Sequence, residues 1–300
     1  MVTCAGTSGF YSLAGQTIRF DPWVPELQPF LQGSLHCRAY QLPSHFARLK
    51  ANSPIAQVTG WLADQYQTIS LWQDDSGYLL DIPSAGSFWT AADGGTICQV
   101  SCSGSTDLTF LAEAFLGPPL ILALALRGIW CFHASAIEFE HQMVAFMGES
   151  GAGKSTLAVY LAKLPGVRRV SDDILPVMWE DGKLYALPHF PQLKIPQHQQ
   201  PGLGFPQKLP LMAVYYLDEQ PAISIKGLGS GNSALLLAGH TVAARLFDRQ
   251  LLSNHFSFCG QAAAGISVRG LAYPRQWTEL PWVLQALKDD LDSVQASKSV

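Results

Sequence analysis

Charge is scarce in this chain: Asp, Glu, Lys and Arg make up only 14% of its 300 residues, and no stretch concentrates Lys and Arg. With a net charge of −4 and a pI near 6.0, it offers no electrostatic footprint for nucleic acid or for an anionic membrane. Cysteines at metal-binding spacing are missing too. Cys4, Cys37, Cys98, Cys102, Cys131 and Cys259 are scattered without a CxxC, and only Cys98 and Cys102 stand close. No matching His or Cys pair lies near them, so reduced core thiols are the expected state. The longest apolar run, Leu116 to Leu126, is too short to span a bilayer and reads as buried core. The N-terminal octapeptide has neither a basic nor an apolar signal region, which predicts a cytoplasmic protein.

What is present is globular: 48% of residues are hydrophobic, enough for one large domain or two modest ones. Residues 1–104 read as β-rich. Short apolar segments at Gly9–Leu13, Thr17–Phe20, Thr68–Trp72, Tyr78–Ile82 and Thr96–Val100 alternate with turn signals at Asp74-Asp75-Ser76-Gly77 and Asp93-Gly94-Gly95. Composition then turns small and polar, and a helical pattern begins at Leu108 with Thr106 or Asp107 as cap. The domain boundary is set there, leaving 105–300 as a second, α/β domain. A further helix runs to Arg127, and strands are expected at Trp130–Phe139 and Met143–Met147. Beyond the next helix come a short strand Val167–Val170, a hairpin turned by Glu180-Asp181-Gly182-Lys183, and strands at Leu209–Leu217 and Ala222–Leu228. Helices close the chain at Ala234–Phe247, Leu251–Phe258 and Leu280–Val294.

Between the Met143–Met147 strand and the helix from Thr156 stands Gly148-Glu149-Ser150-Gly151-Ala152-Gly153-Lys154-Ser155, the pattern GxxxxGK[ST]. Glycines let the backbone curl and aim consecutive N–H groups, from Gly148 through Ser150, Gly151, Ala152 and Gly153 to Thr156, at phosphate oxygens. The helix start adds positive potential. Lys154 suits the β- and γ-phosphates of ATP, and the Ser155 hydroxyl suits Mg²⁺. A glycine-rich turn with a chance lysine is the plain alternative; strand, loop and helix signals in the required order argue against it.

Phosphoryl transfer needs an acid for the metal and often a second for the nucleophile. Asp172 and Asp173 follow the first strand after the loop helix, which in an open α/β sheet is the carboxyl edge where phosphates bind. Adjacent strand residues point in different directions, so one carboxylate can face Mg²⁺ and its neighbour an acceptor hydroxyl. His133 lies on the strand before the loop strand; by spacing alone it is more simply a core histidine. Lys194, His240, Arg245 and His255 remain without an assigned role.

These elements together resemble the catalytic domain of the HPr kinase/phosphorylase family, across about Arg127 to Val177: a histidine (His133) on the preceding strand, a loop of the form GxSGxGKS, and an Asp-Asp pair after the loop helix. The resemblance implies a P-loop kinase core of the HPr kinase type that transfers the γ-phosphoryl group of ATP, with Mg²⁺, to a serine hydroxyl. It implies that Lys154 holds phosphate, and that one aspartate, taken as Asp172, joins Ser155 at the metal. The other, Asp173, acts as general base beside His133, the reverse division staying open. It also implies a homo-oligomer. An ExRGxG segment is missing; Leu187-Pro188-His189-Phe190-Pro191-Gln192-Leu193-Lys194-Ile195-Pro196 stands there, which argues against HPr as acceptor and against phosphorolysis. The region around Phe10–Ile18 and Pro25–Leu27 is similar to short HPr kinase-related proteins, some of which phosphorylate a serine of lasso-type precursor peptides. A peptide or small-protein acceptor is therefore expected. A metabolite kinase and a nucleotide-binding interaction module are the competing readings.

Overall fold

The computed structural model describes residues 8–21, 24–36, 49–50, 52–62, 65–102, 108–201 and 204–298. The expected Thr106 or Asp107 cap, and Cys4 and Cys37, lie outside them. The fold is mixed α/β, with two sheets and, among the described residues, six α-helices. It divides into two compact units: Met1–Trp130 with Ala243–Asn254, and Cys131–Val242 with His255–Val300.

The first unit holds strands β1 (Ser8–Leu13), β2 (Gln16–Asp21), β3 (Leu31–His36), β4 (Ala56–Leu62), β5 (Gln65–Asp74), β6 (Gly77–Ile82), β7 (Gly86–Ala91) and β8 (Thr96–Cys102), in the order β3-β1-β2-β8-β7-β6-β5-β4. Neighbours are antiparallel except β2 with β8. The expected turn between β5 and β6 forms because Asp74 Oδ1 accepts hydrogen bonds from the backbone N–H of Ser76 (2.8 Å) and Gly77 (3.2 Å), an Asx turn. Helices α1 (Leu108–Leu116) and α2 (Pro118–Leu126) belong to this unit. The sequence boundary at residue 104 separates strands from helices, not one unit from the other. Burial explains the difference: Phe115 packs on Phe20 (5.2 Å between ring centroids) and Phe88 (5.3 Å), and α2 is apolar all round, as a fully buried helix must be. Thr109–Leu126 is long and apolar enough to cross a membrane by composition, yet 72% of it is buried inside the fold.

The second unit carries β9 (Trp130–Phe139), β10 (Gln142–Met147), α3 (Lys154–Leu161), β11 (Val167–Glu180), β12 (Lys183–Ala186), β13 (Leu209–Glu219), β14 (Ser224–Gly227), α4 (Ser230–Gly239), α5 (Arg249–Gly265), β15 (Ser267–Tyr273) and α6 (Leu280–Lys298). The first residue of β9 and the first six of α5 fall in the other unit. Strand order is β10-β9-β11-β12-β13-β15-β14, with β10 also pairing β13. Strands β10, β13 and β15 are parallel, so their carboxyl ends share one edge. Leu157, Ala158 and Leu161 of α3 pack with Phe146, Tyr215, Leu271 and Val283 in the core. Burial of each such aliphatic side chain stabilises by about 1.5–3 kcal/mol.

Three expectations change. Val167–Val170 is no separate short strand: β11 continues through the aspartates to the hairpin, so Asp172 and Asp173 lie within a strand and not at its end. The helix expected over Ala234–Phe247 stops at Gly239, and 243–254 belongs to the first unit. Strand β15 was not anticipated.

Candidate active site

The phosphate-loop sequence folds as a tight turn between β10 and α3. Gly148 has φ 148°, and a Cβ there would meet Ala152 Cβ at 3.0 Å and the Leu217 carbonyl oxygen at 3.1 Å. Gly153, the residue before α3, is left-handed at φ 90°, and its Cβ would meet Tyr273 Oη at 3.1 Å. Both positions therefore require glycine. Ala152 N–H donates to the Glu149 carbonyl at 3.0 Å. Lys154 is buried, 8% exposed, and its Nζ donates to the carbonyls of Gly148 (2.8 Å) and Glu149 (3.1 Å). Ser150, Gly151, Ser155 and Thr156 are exposed, which leaves the first turn of α3 open to a ligand.

The two aspartates occupy opposite sides of β11 and have different partners. Asp172 is 8% exposed; Ser135 Oγ donates to its Oδ1 at 3.0 Å and Arg169 Nη2 to its Oδ2 at 3.1 Å. Its carboxylate is engaged on both sides, while its N–H is held by Gln192 Oε1 at 3.1 Å. Asp173 is 40% exposed: His133 Nε2 lies 3.2 Å from Oδ1, and Lys194 Nζ 2.9 Å from Oδ2. The histidine contact requires the proton on Nε2. His133 is thus no plain core histidine, being as exposed as the acid it meets. The Leu187–Pro196 segment is fixed to β11 by Gln192 Nε2, which donates to the Ile174 carbonyl at 2.8 Å, and this fixes the backbone from which Lys194 reaches Asp173.

No protein-family model and no curated protein matches the chain. Among solved structures it is similar to the Hpr(Ser) kinase/phosphatase from Coxiella burnetii, at 12% identity and a TM-score of 0.32, over 56% of this chain and 94% of that one. The chemistry therefore rests on the site's own geometry and electrostatics.

Burial lowers the Lys154 pKa, opposed by the charges of Asp173 and Glu149, with Lys194 adding to the fall. Burial raises the Asp173 pKa, but hydrogen bonds from His133 and Lys194 outweigh it and hold the carboxyl below its ordinary 3.8. The charge of Asp173 thus acts on the loop lysine. His240, which caps α4, joins them. Its carbonyl accepts from His133 N–H at 2.7 Å, and its ring tilts against Tyr216 at 5.5 Å. Burial lowers its pKa below 6.5, with Glu149 opposing and His133 and Lys154 reinforcing.

Sequence reasoning did not find Arg275, Tyr216 or Glu149. Arg275 Nη1 donates to the Gly151 carbonyl at 3.2 Å and lies 3.5 Å from Glu219 Oε2. It follows β15, and recognising that strand would have placed it at the carboxyl edge. Tyr216 carried a signal in the Leu209–Leu217 strand, parallel to the loop strand. Arg245 belongs to the first unit. His255 is buried, its Nε2 2.8 Å from Thr241 Oγ1. Cys98, Cys131 and Cys259 are free and buried; burial pushes the thiols of Cys98 and Cys259 up to about 12.

Proposed function

We propose that the protein is an ATP- and Mg²⁺-dependent phosphotransferase acting on a hydroxyl, most specifically a serine of a peptide or small protein. The observation that carries this is geometric: Lys154 is held over a glycine turn that opens at the start of a helix, and in the same unit Asp173 is held by His133 and Lys194.

The residues fit the group they would hold. A Cβ would crowd the turn at Gly148 and Gly153, and the hydrogen bonds of Lys154 to loop carbonyls keep its ammonium over the turn. Ser155, exposed at the first turn of α3, would ligate Mg²⁺. Among the described residues no three His, Cys, Asp or Glu side chains converge on a metal position, which suits an ion that takes most of its ligands from phosphate and water. When bound, that ion neutralises charge developing on the phosphates. Lys154 binds and orients the terminal phosphates. Asp173 accepts the acceptor hydroxyl's proton, and His133 keeps the carboxylate oriented and shares its charge. Asp172, the residue assigned to the metal from sequence, would ligate it through a carboxylate that already accepts from Ser135 and Arg169.

The serine acceptor rests on the sequence resemblance alone. The test is label transfer from γ-labelled ATP to serine-containing peptides, to free serine and to sugars. Transfer to peptides that Asp173→Asn abolishes supports the proposal. Saturation by a metabolite instead would assign a small-molecule kinase, and ATP binding with no transfer would assign a binding module.

A further inference from the structure

We infer that the second unit holds an oxyanion site separate from the phosphate loop, in a cavity of about 610 Å³ at the far end of α3. Lys163, Arg168, Arg169, Gln199, Gln200 and Phe205 line it. The eight residues of α3 put roughly 12 Å between this end and Lys154. The inference does not depend on the kinase reading.

Three cations line the cavity and no acid does, in a chain with little charge of any kind. Arg168 and Arg169 each meet one carboxylate from outside the lining: Glu138 Oε2 lies 3.2 Å from Arg168 Nε, and Asp172 Oδ2 lies 3.1 Å from Arg169 Nη2. Lys163 is exposed and makes no ion pair among the described residues. Three positive charges thus face two negative ones, and the excess falls in the cavity. Phe205 holds the Arg168 guanidinium flat, its carbon 4.3 Å from the ring centroid, a position from which a planar fork can address an oxyanion. Arg169 Nε is buried with no hydrogen-bond partner. Such an unmet donor is costly, and a bound oxyanion is one group that would satisfy it. Gln200 braces the wall, its Nε2 donating to the carbonyls of Gln192 and Ile195, both at 2.8 Å.

The chemical class is a small molecule bearing phosphate or several carboxylates, since arginine forks accept both geometries. Its occupancy competes with Asp172 for Arg169. The cavity is thereby linked to the acid next to Asp173 without sharing the phosphate loop.

The experiment is calorimetric titration of the full chain carrying Lys154→Ala, which removes the loop's cation, with inorganic phosphate and separately with citrate near 0.15 M ionic strength. Saturable binding of either, weakened tenfold or more by Arg168→Ala and by the surface change Lys163→Gln, supports the site. Phosphate alone, citrate alone or both then define the ligand. Arg168→Lys should weaken it less than Arg168→Ala; Lys163→Gln gives the same test if Arg168→Ala does not fold. No saturable binding, or binding unmoved by Lys163→Gln and Arg168→Lys, overturns the inference.

Discussion

The two units handle their polar groups in opposite ways. In the first, charges complete turns and strand pairs: Asp74 closes a turn, Lys50 binds Asp81 and Ser87 across β6 and β7, and Tyr78 Oη donates to Asp248 at 2.7 Å. In the second, His133 of β9 and Lys194 of the segment after β12 both hold Asp173 of β11, whose charge acts on the buried Lys154 of α3. The first arrangement serves stability, and the second is the one to which the proposed phosphoryl transfer assigns a ligand. Asp74, Lys50, Asp81 and Asp248 of the first unit are met by partners within that unit. In the second, a buried lysine on loop carbonyls beside an exposed helix start is the arrangement that would suit an anion.

Asp173→Asn should break this contrast most sharply. Loss of the base is expected to lower transfer on the order of a hundredfold to ten-thousandfold, with ATP affinity nearly kept, as measured by single-turnover kinetics and calorimetry. Unchanged transfer would remove the aspartate from the chemistry. Phe115→Ala acts on the other unit: truncating a ring packed between Phe20 and Phe88 should cost about 3–5 kcal/mol of stability in urea unfolding. A loss below about 1 kcal/mol would mean that this aromatic core is not what holds the helices to the sheet.

Gly153→Ala is a smaller change placed in the loop itself. A side chain at φ 90° against Tyr273 should destabilise by more than about 1 kcal/mol and weaken ATP binding more than Gly204→Ala, where a Cβ meets nothing within 4 Å. Equal effects of the two would contradict the cradle. The weakest effect is in pH. His240 has its pKa lowered, so the unfolded chain binds the proton first, and stability should begin to fall as pH drops below 6.5. Asp173 is also lowered, so its contribution, present above 3.8, should fade as pH falls through its folded value. Circular dichroism melts across this range should show the upper step reduced in His240→Gln and the lower one reduced in Asp173→Asn.

The loop was legible because its chemistry is local: eight consecutive residues, with a strand before and a helix after. The aspartates were candidates through their order after the loop helix, although they lie within β11 and not at a strand end, and His133 was singled out by the resemblance and not by its spacing. The division between the aspartates was not legible, because it depends on Arg169 and Ser135 claiming Asp172 and on Lys194 reaching Asp173, pairings set by tertiary packing. Strand β7, Gly86–Ala91, was missed because it is buried on both faces, with Ser87 and Thr90 inside along with Phe88 and Trp89, so no apolar–polar alternation marks it. β15 was missed because helix signals flank it, and Arg275 went with it. The helices Leu108–Leu126 were read correctly as buried but grouped with the wrong neighbours, since apolar composition tells that a helix is covered and not by which sheet.

The most direct measurement is ATP affinity, with and without Mg²⁺, of the native chain and of Lys154→Ala by isothermal titration calorimetry. Saturable, Mg²⁺-strengthened binding to the native chain and a loss of at least tenfold in the variant are expected. No binding to the native chain, or equal binding by both, would contradict the proposed nucleotide site.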